Sequence, residues 1–464
     1  MQMQAVIQNF KKQNFYRQLL FIGWLMILLL LPFHAFLSTW GGTAIGPLEV
    51  WKTWKELLLG LLVIPTVLLV VREKELRSYL LSSNLVRIIG LYILLHILAV
   101  IFMPGDLGAS LLGLAINLRL VLFLLISFVT FWGSGFDQKF LLKILAIPCL
   151  VVVVFGILQM FILPTNFLNQ FGYEQGVTID PMINIDEQPD QTRIMSTLRG
   201  PNPLGAYLLL PGTVAFILIV KNFTWLKKRL TVRSKTQLLT SIIALMLLIV
   251  ALYGSHGRAA WIGFAVSIGI CLLAVLPQKI KIFVGIAGIL VASLAGIGIY
   301  TYRHTPFVQT VILHDNPETG AELTSNDAHI AAARQGLEDI AERPLLGCGP
   351  GCAGPASFYN EQSGINLAEN YFIQIGQQVG VGGVVLFLLI CMLIGKELWQ
   401  RRKSSLGLAL FASLIGISVA NVLLHVWADD TLAYVWWGLA GALLTTGSHQ
   451  GSAAATAKHP RTSD

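Results

Sequence analysis

The feature that most constrains this chain is a recurrence of apolar runs, each near the length a helix needs to cross a membrane. About 20 helical residues cover the roughly 30 Å of hydrocarbon in a bilayer. Twelve runs near that length lie at 18–39, 56–71, 85–103, 109–131, 140–162, 203–220, 238–254, 260–276, 282–300, 371–394, 406–427 and 431–447. Backbone amides in lipid must be satisfied within their own segment, so the pattern predicts an all-α fold, a polytopic transmembrane helical bundle of about 12 spans. Composition agrees, because 55% of the 464 residues are hydrophobic and only 12% are charged. One soluble domain cannot bury that much apolar surface.

The net charge of +8 reports topology and not a nucleic-acid partner, since the bases fall in short connections on alternate sides of the runs. Arg72, Lys74, Arg77, Lys139, Lys143, Lys227, Lys228, Arg229, Lys279, Lys281, Arg401, Arg402 and Lys403 collect on one side, the expected cytoplasmic one. The acids Glu174, Asp186, Glu187, Asp190, Asp315, Glu318, Glu338 and Asp339 collect on the other. Lys11, Lys12 and Arg17 precede the first run, which has no small-residue cleavage site, so it reads as an anchor with both chain termini cytoplasmic. The expected organisation is one transmembrane domain over 1–447 and a disordered cytoplasmic tail over 448–464, rich in Ala, Ser and Thr.

The longest segment without a span, 301–369, is the expected seat of the chemistry. His329, Ile330, Ala333, Leu337, Ile340 and Ala341 recur at helical spacing and predict an amphipathic helix over 327–342 at the outer interface. Pro344 ends it, and Gly347, Gly349, Pro350 and Gly351 make a turn-forming run. Cys348 and Cys352 share that turn, where an oxidising exterior permits a bridge but a five-residue ring disfavours one.

Four charges near the membrane stand out. Arg258 occupies a very short external turn, where a guanidinium suits the phosphates of a lipid-linked substrate; snorkelling at the interface is the plain alternative. Arg199 lies just before the run at 203–220 on the same side, so two arginines stand at span mouths. Arg119 falls mid-span, where a charge costs roughly 2.5–3.5 kcal/mol on insertion scales; it either extends a phosphate site inward or forms an internal ion pair. Glu369, the last acid before the run at 371–394, is a candidate general base or simply a helix N-terminal acid. His304, His314 and His329 lack metal-ligand spacing, and no P-loop, dinucleotide fingerprint or nucleophile elbow is present. The expectation is no metal and no cofactor, with energy drawn from an activated substrate.

Four ordered motifs resemble the O-antigen ligase and O-antigen polymerase superfamily. They are Arg199-Gly200-Pro201-Asn202-Pro203-Leu204-Gly205; Ser255-His256-Gly257-Arg258-Ala259-Ala260-Trp261; Glu342-Arg343-Pro344-Leu345-Leu346-Gly347-Cys348-Gly349-Pro350-Gly351; and Glu369-Asn370-Tyr371 followed by Gly380-Val381-Gly382-Gly383. The resemblance covers about 196–385. It implies a GT-C-like membrane glycosyltransferase of the cytoplasmic membrane with its active site on the external face. It further implies inverting transfer of glycan from a polyprenyl-diphosphate carrier to an acceptor sugar hydroxyl. Arg199 and Arg258 are then the diphosphate ligands and Glu369 the base, while Arg119, Arg193, Asn202, Asn370 and Tyr371 complete a substrate-binding set. The expected partners are the lipid-linked oligosaccharide donor, a glycan acceptor, the lipid bilayer and other envelope-glycan assembly proteins. Ligases of this superfamily resemble one another in carrying His where this chain has Glu369, which favours a polymerase. A ligase to a lipid or protein acceptor and a transporter or flippase of lipid-linked sugars are the alternatives.

Overall fold

The computed structural model describes residues 13–103, 105–133, 137–184, 192–224, 232–305, 308–309 and 325–445. Lys11 and Lys12, the acids at 186–190, the bases at 227–229, most of 306–324 and the 448–464 tail lie outside the described residues. The described chain is a helical bundle: α1 Phe15–Leu30, α2 His34–Ala44, α3 Leu48–Arg72, α4 Lys74–Ser82, α5 Asn84–Phe102, α6 Leu107–Phe131, α7 Gln138–Phe161, α8 Pro201–Thr224, α9 Val232–Gly254, α10 Arg258–Val275, α11 Gln278–Thr301, α12 Ser325–Glu342, α13 Tyr371–Gln400, α14 Ser405–Leu423 and α15 Asp430–Leu444. Strand β1 Ile183–Asn184 pairs antiparallel with β2 Thr192–Arg193.

Eleven helical stretches are long and apolar enough to cross a membrane among the described residues, with α1 and α2 counted as one stretch through a 3-10 turn at Leu31–Phe33. The run at 431–447 corresponds to α15, which has only 15 residues and at 1.5 Å per residue is short of the hydrocarbon thickness. Its burial explains how that length suffices: every residue from Thr431 to Leu444 is buried, so α15 lies within protein and needs no lipid-facing length. It packs mainly on α6, and Trp427, Trp436 and Trp437 interlock edge to face around its first turns. At the periphery, none of the apolar window of α11 is buried within the bundle, as suits a helix solvated by lipid.

Helices α10 and α14 cross at close backbone approach. A Cβ on Gly263 would lie 2.7 Å from the Gly416 carbonyl oxygen, and one on Gly416 would lie 2.2 Å from that of Gly263. Small residues permit this approach, and dispersion and weak polar contacts at short range hold helices together in lipid.

Helices α8, α10, α13 and α15 all begin at the end of the bundle that carries the 302–370 connection, here termed the loop end. Helix α12 packs on α13 there, but not through the whole expected stripe. Gly336 and Ile340 face α13, against Ile373 and Gly376, whereas Ile330 and Leu337 are 67% and 58% exposed. The packed face is rotated from the expected one because the glycine at 336, not the larger apolar side chains, lets the two helices meet.

Candidate functional site

The turn between α9 and α10 is held from outside by β2. Arg193 donates from Nε to the Ser255 carbonyl at 3.0 Å and from Nη2 to Asn202 Oδ1 at 2.7 Å, while the Ile194 amide donates to the Gly254 carbonyl at 3.0 Å. Two of the expected substrate ligands, Arg193 and Asn202, are therefore joined to each other and anchor the turn that presents Arg258. Burial pushes the Arg193 guanidinium down to about 10, and neighbouring Arg258 adds to the effect, so two cations share this corner. No side chain caps α10 at Gly257, and the first-turn amides add a partial positive charge to the same place.

Arg199 is 49% exposed, with its Nε 3.5 Å from Asp429 Oδ2. The other oxygen of Asp429 caps α15 by accepting from the Thr431 and Leu432 amides at 3.1 and 3.4 Å. Burial raises the Asp429 pKa and the Arg199 charge opposes that rise. The next residue, Asp430, turns inward to contact Arg119 and lies 3.1 Å from Lys55 Nζ. Lys55 in turn pairs with Glu56 at 3.1 Å, and Arg119 donates to the Ala428 carbonyl at 2.6 Å. With its side chain only 4% exposed, Arg119 sits in an internal ion network beneath the site, not on its surface. The network also answers the mid-span cost, because each buried charge has an opposite neighbour.

Glu369 adopts φ 51°, one of three non-glycine residues with positive φ among the described residues. The others are Ser196, three residues before Arg199, and His256, two before Arg258. Two of these sparsely populated conformations thus flank a candidate residue and the third is one, the pattern expected where surroundings over-determine a site. Glu369 Oε2 contacts His329 Nδ1, reached from α12, with the two side chains 33% and 35% exposed. The following residues are structural: Asn370 caps α13 by accepting from the Phe372 and Ile373 amides and donates to the Val422 carbonyl at 2.9 Å. Tyr371 is buried edge-on to Phe387.

His425, in the connection from α14 to α15, joins these groups. Burial holds its pKa down at about 4, with Arg199 and His329 contributing in that order. A patch of ionisable side chains therefore runs through Arg199, Asp429, His425, His329 and Glu369. Sequence reasoning missed His425, Asp429, Asp430, Lys55 and Glu56. The signal available was a cluster of ionisable residues at the very edges of two expected spans, at 56 and 431, read there as boundaries.

The glycine turn fixes where Glu369 sits. Helix α13 breaks at Val379 and Gly380, the latter at φ 72° and ψ −177°, and the break releases carbonyls from the helical ladder. Those of Gln377 and Gln378 accept from the Cys348 and Gly349 amides at 2.8 and 3.0 Å, and the Val381 amide donates back to the Pro344 carbonyl at 2.9 Å. Cys348 and Cys352 form a disulfide with Cα atoms 6.0 Å apart, closing the turn. Gln377 also donates to Asp339 of α12 at 2.7 Å, so the turn, the amphipathic helix and the first half of α13 are tied together by hydrogen bonds. A separate apolar cavity of roughly 680 Å³, lined by Leu273, Met392, Trp399 and Phe411 among others, lies towards the opposite end of the bundle, with no part of this charged patch in its lining.

Residues 243–388, from within α9 to the middle of α13, match the family model described as O-antigen ligase. No curated protein matches the chain.

Proposed function

We propose that this chain, which belongs to the O-antigen ligase and polymerase superfamily, transfers glycan from a polyprenyl-diphosphate carrier to an acceptor sugar hydroxyl. Membrane glycan processing of the O-antigen ligase and polymerase type is the coarse function of that superfamily; donor, stereochemistry and residue roles are our reading. The observation that carries it is the meeting, at one end of the bundle, of two features. One is a cationic corner built from Arg258, Arg193 and an uncapped helix start, accompanied by half-exposed Arg199. The other is a carboxylate with an imidazole partner at the start of α13.

The chemistry follows from those groups. Arg258 and Arg199 bind the diphosphate and stabilise the charge that develops on it as the glycosidic C–O bond breaks. Glu369 receives the acceptor proton as the hydroxyl oxygen attacks the anomeric carbon from the opposite face, which inverts it. Arg193 and Asn202 hold Arg258 in place, Asn370 and Tyr371 hold Glu369, and Arg119 acts through Asp430 and its neighbour Asp429 on Arg199. The loop end faces the exterior of the cytoplasmic membrane, both termini face the cytoplasm, and α12 with the 343–370 stretch flanks the site. A carboxylate at 369 supports polymerisation over ligation.

The test uses purified protein in nanodiscs with an undecaprenyl-diphosphate oligosaccharide. Lengthened lipid-linked glycan that depends on Arg258 and Glu369 supports the polymerase. Transfer only after a separate acceptor is added supports a ligase. Passage of unchanged donor across the bilayer, with no new glycosidic bond, overturns the reading in favour of a transporter.

A further inference from the structure

We propose that the proton acceptor in this site is Nε2 of His329, and that Glu369 acts by orienting that imidazole and stabilising it once it has taken the proton. This rests on the glycosyl-transfer reading above and changes which atom takes the proton. The geometry is specific to one ring nitrogen: Glu369 Oε2 contacts Nδ1. A carboxylate there accepts the Nδ1 proton, fixes the tautomer and leaves the Nε2 lone pair as the basic site. No protein group bonds Nε2 among the described residues, and the side chain is 35% exposed. The carboxylate also stabilises the imidazolium once Nε2 is protonated.

The backbone that carries the carboxylate is tied in place. It extends from a residue held at φ 51°, directly before the Asn370 cap that ties α13 to α14. His329 approaches from α12, which is joined to α13 through Asp339 and Gln377. Other titratable or charged groups near the imidazole are His425 and, on the far side of it, Arg199 with Asp429; Asp327 lies on its own helix. In the step, the acceptor O–H attacks the anomeric carbon, its proton moves to Nε2, the new C–O bond forms, and the old C–O bond breaks with its electron pair leaving on the diphosphate.

The test has two parts. The first reads which ring nitrogen of His329 carries the proton, by 15N NMR of nanodisc-embedded protein labelled at histidine, assigned by its loss in His329→Gln. We expect the Nδ1-protonated tautomer in the wild type and loss of that preference in Glu369→Ala, since the acceptor on Nδ1 is removed; an unchanged tautomer overturns the dyad. The second measures turnover of the undecaprenyl-diphosphate oligosaccharide. His329→Gln and Glu369→Gln should each lose roughly 10²–10⁴-fold in kcat with little change in donor KM, and the double variant should be no worse than either. Near-normal kcat in His329→Gln beside a defective Glu369→Gln overturns the proposal and leaves glycosyl transfer by Glu369 standing. Wild-type protein that forms no glycosidic bond overturns both.

Discussion

At the scale of single residues, the site combines strain with charge. Holding a non-glycine residue at positive φ costs on the order of 1–3 kcal/mol, while a partly exposed ion pair such as Glu369 with His329 returns only about 0–1 kcal/mol. We therefore expect Glu369→Gly to keep or raise the melting temperature in detergent while losing at least roughly 10²-fold in turnover. A clear fall in melting temperature would mean that the contact outweighs the strain. His425 gives a pH prediction. Its folded pKa, near 4, lies below the ordinary imidazole value of 6.5, so between those values the unfolded chain binds more protons than the folded one. Stability is full above pH 6.5 and declines as pH falls towards 4, by about 3 kcal/mol for this one group. Thermal melts of wild type and His425→Gln across that window check it, and the variant should show a shallower decline. Arg199, Arg258 and Glu369 stood out in the sequence because each is a charge next to the start of an apolar run. His425 and Asp429 did not, because a short connection between two apolar runs shows nothing of which side chains turn towards Arg199.

At the scale of elements, the break in α13 and the turn that fills it are one device. Sequence pattern identifies both halves, the Gly347–Gly351 run and Gly380-Val381-Gly382-Gly383, but their reciprocal hydrogen bonds join residues some thirty positions apart and leave no periodic trace. Gly380 occupies a conformation open to glycine almost alone, and a Cβ there would lie 2.5 Å from the carbonyl oxygens of both Pro344 and Leu345. Gly380→Ala should cost at least about 2 kcal/mol and depress turnover through the displaced start of α13. Thermal melting and kcat on the same preparation check both effects; an unaltered melt would show that the turn does not hold the break. The amphipathic helix was legible in extent, 327–342 against Ser325–Glu342, but not in its packed face, since apolar periodicity does not register that a glycine allows the closest approach.

At the scale of the whole molecule, the bundle is arranged around a short buried helix, α15, whose first residues link an internal ion network to the candidate site. The apolar runs made the bundle legible, because lipid imposes long helices on any chain that crosses it. The network was not legible, because Lys55, Glu56, Arg119 and Asp430 come from three separate helices. Removing one charge from it should be severe: Asp430→Asn leaves Arg119 and Lys55 under-compensated and should cost about 3–5 kcal/mol. The double variant Arg119→Met, Asp430→Leu leaves Lys55 with Glu56 and should recover most of that stability, yet have lower activity if the network positions Arg199. Melting curves and turnover of both variants separate folding from positioning. The most direct measurement of the central claim is the stoichiometry of the reaction in nanodiscs, as undecaprenyl diphosphate released per glycosidic bond formed, for wild type and Arg258→Ala. We predict one diphosphate released per bond by the wild type and neither product from the variant, with membrane insertion unchanged. Bond formation at the wild-type rate in Arg258→Ala, or movement of donor without release of diphosphate, would contradict the account.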